Sequence, residues 1–233
     1  MCVSRRTVPI PTTAVKLGGK SPATNGARFV APSANLIGAV RLAEGASTWY
    51  SSLLQGGVRG VEIGEMSNVG DRAVVIDSVV GKHVHIGAGA IVQFATLSDA
   101  SSVGMGSKIG QGSSLGKGAA LAAGSVLPAN TAVPAGQLWS GNPAKLVGPL
   151  GPESNSATVR TAEVIAELAA LHMVEAWKDL GLVNQEHEDY KREAYRTPDF
   201  IASLRADPKW EPLPTLGETL TKIGVHTHVH TPP

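Results

Sequence analysis

The chain has 233 residues, with 20 Lys and Arg against 19 Asp and Glu and a single cysteine, Cys2. A formal charge of +1 excludes a global basic field for nucleic acid, a lone cysteine excludes an internal disulfide framework, and no run approaches the ~20 apolar residues of a membrane span. Aromatic residues make up only 4% while glycines number 27, a balance that points away from an ordinary globular core and toward a repetitive architecture.

In chain order, residues 1–27 come first. Arg5, Arg6, Lys16, Lys20, Arg28 and Arg41 all precede the first acidic residue, Glu44. An acid-free, basic segment carrying Ser and Thr reads either as an organellar transit segment or its remnant, or as an extended arm laid over a partner. Prolines break residues 7 to 15, so no secretory h-region is present. Cys2 reads as a bystander.

From residue 28 to 147 the aliphatic residues fall in steps of six. One run is Val30, Leu36, Leu42, Thr48 as a weak member, and Leu54. Others are Ile63, Val69, Val75 and Val80, Ile86, Val92. The longest is Leu97, Val103, Ile109, Leu115, Leu121, Leu127, Val133. Shifts of five or nine residues join the runs. Gly or Ala often follows the aliphatic, and the fourth residue after it is again small: Ala34, Ala46, Ser67, Ala73, Ala90, Ser101, Ser107, Ser113, Ala119, Ser125. A period of six matches neither a helix nor a plain alternating strand. It matches a triangular parallel β-helix, in which each unit makes one short strand and one tight corner and the aliphatic points inward. Neighbouring coils then stabilise one another, and the ends need caps.

Composition changes after Pro143 and Pro149. Residues 155–183 read as an α-helix packed along the prism, with Val164, Ile165, Leu168, Leu171 and Val174 as its apolar stripe and Gly181 as its stop. Residues 184–233 are polar and then proline-dotted, and read as an extension too polar to bury itself. Within it, "EHEDYKREAYRTPDF" (186–200) interleaves both charge signs with Tyr190, Tyr195 and Phe200, and the segment is expected to wrap a neighbouring subunit. Among the histidines, His83 and His85 stand at alternate positions of one expected strand, so their side chains diverge. His172 reads as a packing or surface residue of the helix. His226, His228 and His230 share one face of an extended tail, as a solvated terminus or a weak divalent-ion site.

The stretches "FVAPSANLIGAV" (29–40), "STWYSSLLQGGV" (47–58), "SNVGD" (67–71), "VGMGSKI" (103–109) and "PAGQLWSGNPAKLV" (134–147) together resemble the γ-class carbonic anhydrases, and among them the γ-carbonic-anhydrase-like subunits of plant and algal mitochondrial respiratory complex I. The resemblance implies a left-handed β-helix, an exception to the usual crossover handedness. It also implies a trimer with zinc at the subunit interfaces, two histidines coming from one subunit and the third from its neighbour. At the positions where active relatives carry those histidines, this chain has Ile76, Ala88 and Gln93. Gln55, Gly56 and Gly57 stand where relatives show Arg-Gly-Asp, and Gly70 replaces a glutamine near the metal; Asn68 and Asp71 are kept. Catalytic zinc needs about three protein ligands and an open position. The resemblance therefore implies a non-catalytic subunit that binds no metal. Zinc would lie only between its partners, two other γ-carbonic-anhydrase-like subunits. The assembly would be peripheral, on the matrix side of the mitochondrial inner membrane, attached to the membrane arm of complex I and contacting no nucleic acid. The alternative from the same repeats is a hexapeptide acyltransferase, since "GNPAK" also ends such enzymes, with His83 or His85 as general base. An active carbonic anhydrase with relocated ligands is a third reading.

Overall fold

Residues 13–195 are described in a computed structural model of the chain. The step of six becomes mostly strands of two or three residues with corners between them, and longer strands at Asn35–Leu42 and Leu53–Ile63. Parallel pairing of strands in successive coils builds three faces. On the first, Leu36, Leu54, Val75, Val92, Ile109 and Leu127 stack inward. On the second stand Leu42, Ile63, Val80, Leu97, Leu115 and Val133. The third carries Val30, Thr48, Val69, Ile86, Val103, Leu121 and Trp139. All but the half-buried Val30 and Trp139 are buried, and the prism is a left-handed parallel β-helix of about seven turns. Each buried aliphatic contributes about 1.5–3 kcal/mol relative to exposure.

The small residues of the corners are buried, as their spacing predicts. Several serines among them also tie one coil to the next. Ser67 Oγ donates to Gly81 O at 2.7 Å and accepts from Val84 N at 2.9 Å. Ser107 and Ser113 donate in the same way to Ala122 O and Pro128 O. A serine here satisfies backbone that a corner would otherwise leave unpaired.

Both ends of the prism are covered, as stacked coils require. Residues 13–27 are not a free arm: Thr13–Val15 pairs in parallel with Asn35–Ile37, and Ala23 bridges Arg41, so a partial coil covers the first full one. This pairing satisfies an exposed sheet edge. At the other end Gln137–Gly141 turns back antiparallel onto Ala144–Pro149 and closes the prism.

The first helix, α1, spans Pro152–Ala176, against an expected 155–183, and begins with proline in its first turn. Its orientation corrects the sequence reading. Val164, Leu168, Leu171 and Val174 are exposed, whereas Ala162, Ala166 and Ala169 are buried, Ala169 against Phe29, Ala31 and Ala34 beside the third face, and only Ile165 of the expected stripe turns partly inward. Alanines at this helical spacing let the axis approach a surface already filled by the rings of Phe29, Trp49 and Tyr50; leucines would hold it off. Ala169→Leu is therefore expected to cost about 1–3 kcal/mol by overpacking, while Leu171→Ser stays within about 0.5 kcal/mol. Urea unfolding of both variants checks this, and the opposite order would restore the expected orientation.

α1 stops at Trp177, and Gly181 is not its stop: it lies inside a second helix, α2, over Leu180–Tyr195. Residues 184–195, read as the start of an extended tail, are thus helical. Ion pairs one turn apart, Lys191 with Glu188 at 3.2 Å and Arg192 with Asp189 at 3.4 Å, favour that conformation on a polar segment. Residues 1–12 and 196–233, with Cys2, Phe200, His226, His228 and His230, lie outside the described residues. No helix among the described residues is long and apolar enough to cross a membrane.

Candidate functional site

At the end of the first face, Ile37, Gln55, Ile76 and Gln93 pair rung upon rung, so Gln55, Ile76 and Gln93 form one column. Gln55 and Ile76 are half-buried and Gln93 is exposed. Ala88 is not in that column. It stands on the corner after His85–Ile86, beyond the opposite end of the strand Ile91–Gln93. One chain therefore brings two of the three positions together and presents the third elsewhere. Isoleucine and alanine carry no donor atom, and glutamine offers only a neutral oxygen, so the residues present do not fit catalytic zinc. Among the described residues no cluster of three His, Cys, Asp or Glu is placed to hold a metal.

The surroundings of the column are built around a residue the sequence reading missed. Asp77, buried and in a left-handed conformation (φ 42°), accepts hydrogen bonds through Oδ1 from Gly57 N at 2.6 Å and Gly60 N at 2.9 Å. It pins the base of the loop formed by the nine-residue step between Leu54 and Ile63. Val58, 91% exposed, and Arg59 project from that loop. The long step was the available signal: extra residues at a corner leave backbone N–H groups that need an acceptor. A side chain at Gly57 would start 2.9 Å from Asp77 Oδ2. At Gly70 the fit is tighter still, because a Cβ would meet Ala88 N at 2.8 Å and Ile86 O at 2.9 Å, backbone that cannot swing aside.

Ala88 and Gly70 instead line a groove of about 210 Å³ between the third face and α1, with Trp49, Asn68, Asp71, His85, Met105 and Ile165. His85 Nδ1 lies 3.0 Å from Oδ1 of the buried Asn68, one coil below. With the amide oxygen as acceptor, Nδ1 carries the proton and Nε2 keeps its lone pair. Burial pushes the His85 imidazole below its ordinary value, which keeps it neutral at pH 7. His83, expected on the same strand, is on the preceding corner at φ 53°. His85 therefore lines the groove without His83. His172 packs: its Nδ1 is 3.0 Å from Tyr50 Oη, and its ring meets Trp49 edge-on at 4.9 Å. Burial, and then the charge of Asp71, raises the Tyr50 phenol.

No protein-family model matches the chain. It is 32% identical over 203 residues to γ carbonic anhydrase 2, mitochondrial, of Arabidopsis thaliana, covering 82% of this chain and 73% of that protein. It is 38% identical over 175 residues to γ carbonic anhydrase-like 1, mitochondrial, of the same plant, covering 70% and 69%. Among solved structures, a hexapeptide transferase family protein from Anaplasma phagocytophilum superposes with a TM-score of 0.64 at 36% identity, over 67% of this chain and 96% of that one. A Bacillus cereus putative acetyltransferase, with a TM-score of 0.66 at 24% identity over 70% and 98%, shares the fold.

Proposed function

Because the chain belongs to the γ-class carbonic anhydrase family, we propose that it is a structural, non-catalytic member of that family. It occupies one position of a heterotrimer with two other γ-carbonic-anhydrase-like subunits, peripheral to the matrix side of the mitochondrial inner membrane, and supports assembly of the complex I membrane arm. The observation that carries the reading is the column of Gln55, Ile76 and Gln93 with Ala88 set apart. It has the two-plus-one distribution the family uses for a shared metal, and it lacks the donors. Without a bound ion nothing lowers the pKa of water from ~15.7 toward ~7, so no hydroxide forms to attack CO₂. Mitochondrial relatives support the compartment.

The test is native electrophoresis of gently solubilised mitochondrial membranes. The chain is expected to migrate with complex I and with two related subunits, and its depletion to lower assembled complex I. Migration as a free protein, with complex I unchanged on depletion, would count against the proposal.

A second reading is favoured by one observation, the neutral His85 held by Asn68 beside an apolar groove. That is how a general base for acyl transfer is set up, and a hexapeptide transferase family protein is among the similar structures. Calorimetric titration with coenzyme A and acetyl coenzyme A separates the two. The structural reading expects no saturable heat. Micromolar binding with acyl transfer abolished by His85→Gln would establish the enzyme instead.

A further inference from the structure

We propose that the corner between the first and second faces carries a binding site for a small anion, carboxylate or phosphate, borne on a flat ring. The site is formed by Arg59, Phe94, Gln111, Gly112, Ala129 and Asn130, which line a cavity of about 460 Å³, within the volume range of small-molecule sites. It goes beyond the structural reading and does not depend on it.

The cavity lies at a corner where the repeat omits one side chain. Asp77, Phe94, Gly112 and Asn130 occupy equivalent corners of successive coils, all at positive φ: 42°, 49°, 74° and 57°. Their backbones are linked, Phe94 N donating to Ile76 O, Gly112 N to Phe94 O and Asn130 N to Gln111 O. Gly112 alone of the four has no side chain, and a Cβ built there runs into Asn130 Oδ1. Without a Cβ at Gly112 the Asn130 amide settles against that backbone, and Phe94 and Asn130 both line the cavity beside it.

The chemistry lining the cavity selects its ligand. The amides of Gln111 and Asn130 supply N–H donors. Arg59 comes from the loop whose base Asp77 fixes through two backbone bonds, and it has no ion-pair partner among the described residues. A guanidinium presents a planar fork matched to a carboxylate or a phosphate. No carboxylate lines the cavity. Phe94 offers a ring face or edge for offset stacking with an aromatic body. On the other side of Arg59 lies a second groove with Lys20, Arg41 and Glu62. Its carboxylate and lack of any aromatic residue make it the poorer receptor and a useful control.

Isothermal titration of the full chain with benzoate and with phenyl phosphate tests the site, beside inorganic phosphate and benzyl alcohol. Saturable one-site binding of at least one aryl anion is expected, with both controls at least tenfold weaker. Preference for benzoate identifies a carboxylate ligand and preference for phenyl phosphate a phosphate ester. Arg59→Gln and Asn130→Asp should each weaken binding at least tenfold with unchanged melting temperature, the latter because Asp tolerates the same backbone while repelling an anion. Arg41→Gln should change affinity less than twofold. The proposal is overturned if neither aryl anion binds, if inorganic phosphate binds as well as phenyl phosphate, if Arg59→Gln binds like the parent, or if Arg41→Gln loses as much as Arg59→Gln.

Discussion

Ile109→Asp is expected to unfold the prism under conditions in which the parent chain is folded. Ile109 is 2% exposed and stacks between Val92 and Leu127 on the first face. The substitution removes an apolar burial of about 1.5–3 kcal/mol and strands a carboxylate among aliphatics at a further cost of several kcal/mol. Together these approach the whole stability of a typical domain, about 5–15 kcal/mol. A solenoid cannot isolate the damage, because each coil is held only by its two neighbours. Lys108, the preceding residue of the same strand, is exposed. Lys108→Asp should leave stability within about 0.5 kcal/mol. Thermal melts followed by circular dichroism check both. An unchanged midpoint for Ile109→Asp would mean that the strand faces the other way.

That register was legible in the sequence because the repeat is nearly one-dimensional. A corner needs a small residue and an inward position needs an aliphatic, and both demands recur at fixed intervals. Thr48 shows how far the logic reaches: counting alone puts it inward, and it is buried, with no hydrogen-bond partner for its hydroxyl among the described residues. Where the structure departs from the sequence reading, no such interval exists. α1 carries apolar residues on two faces. Periodicity selects the bulkier stripe, whereas packing selects the alanine stripe because the third face is already filled by aromatic rings. Residues 13–27 join the sheet through backbone bonds that their composition does not encode.

For the candidate site, the sequence names positions and not their arrangement. Ile76, Ala88 and Gln93 came from the family resemblance, but which two share a column follows from coil pairing. Asn68 and His85 meet across 17 residues of sequence, one coil of the prism, so their contact becomes readable once the period is used as a ruler. Asp77 had no motif. Its role follows from the backbone of a loop three residues longer than the step of six.

In the proposed heterotrimer, both interfaces that include this chain are expected to hold no zinc. At one of them the chain contributes Ile76 and Gln93, and at the other Ala88. Neither contribution supplies an imidazole, and a neutral amide oxygen does not replace two of them. Restoring histidine at 88 and 93 alone should give at most one partly formed site. Ile76 still blocks one interface, and the surroundings resist reversion. A glutamine at Gly70 meets the backbone of Ala88 and Ile86, and an aspartate at Gly57 faces the carboxylate of Asp77, where like charges repel. Lost supporting contacts commonly weaken metal binding by about 10–100-fold each. In the purified assembly the double variant is therefore expected to add less than one zinc ion by plasma mass spectrometry, held at the interface where position 88 meets its neighbour's pair. Adding Ile76→His should raise zinc measurably, because it completes the pair within one column, but not to one ion per interface while Gly57 and Gly70 remain. Stoichiometric zinc beside Ala88 or Gln93 in the unaltered assembly would show that this subunit is not silent.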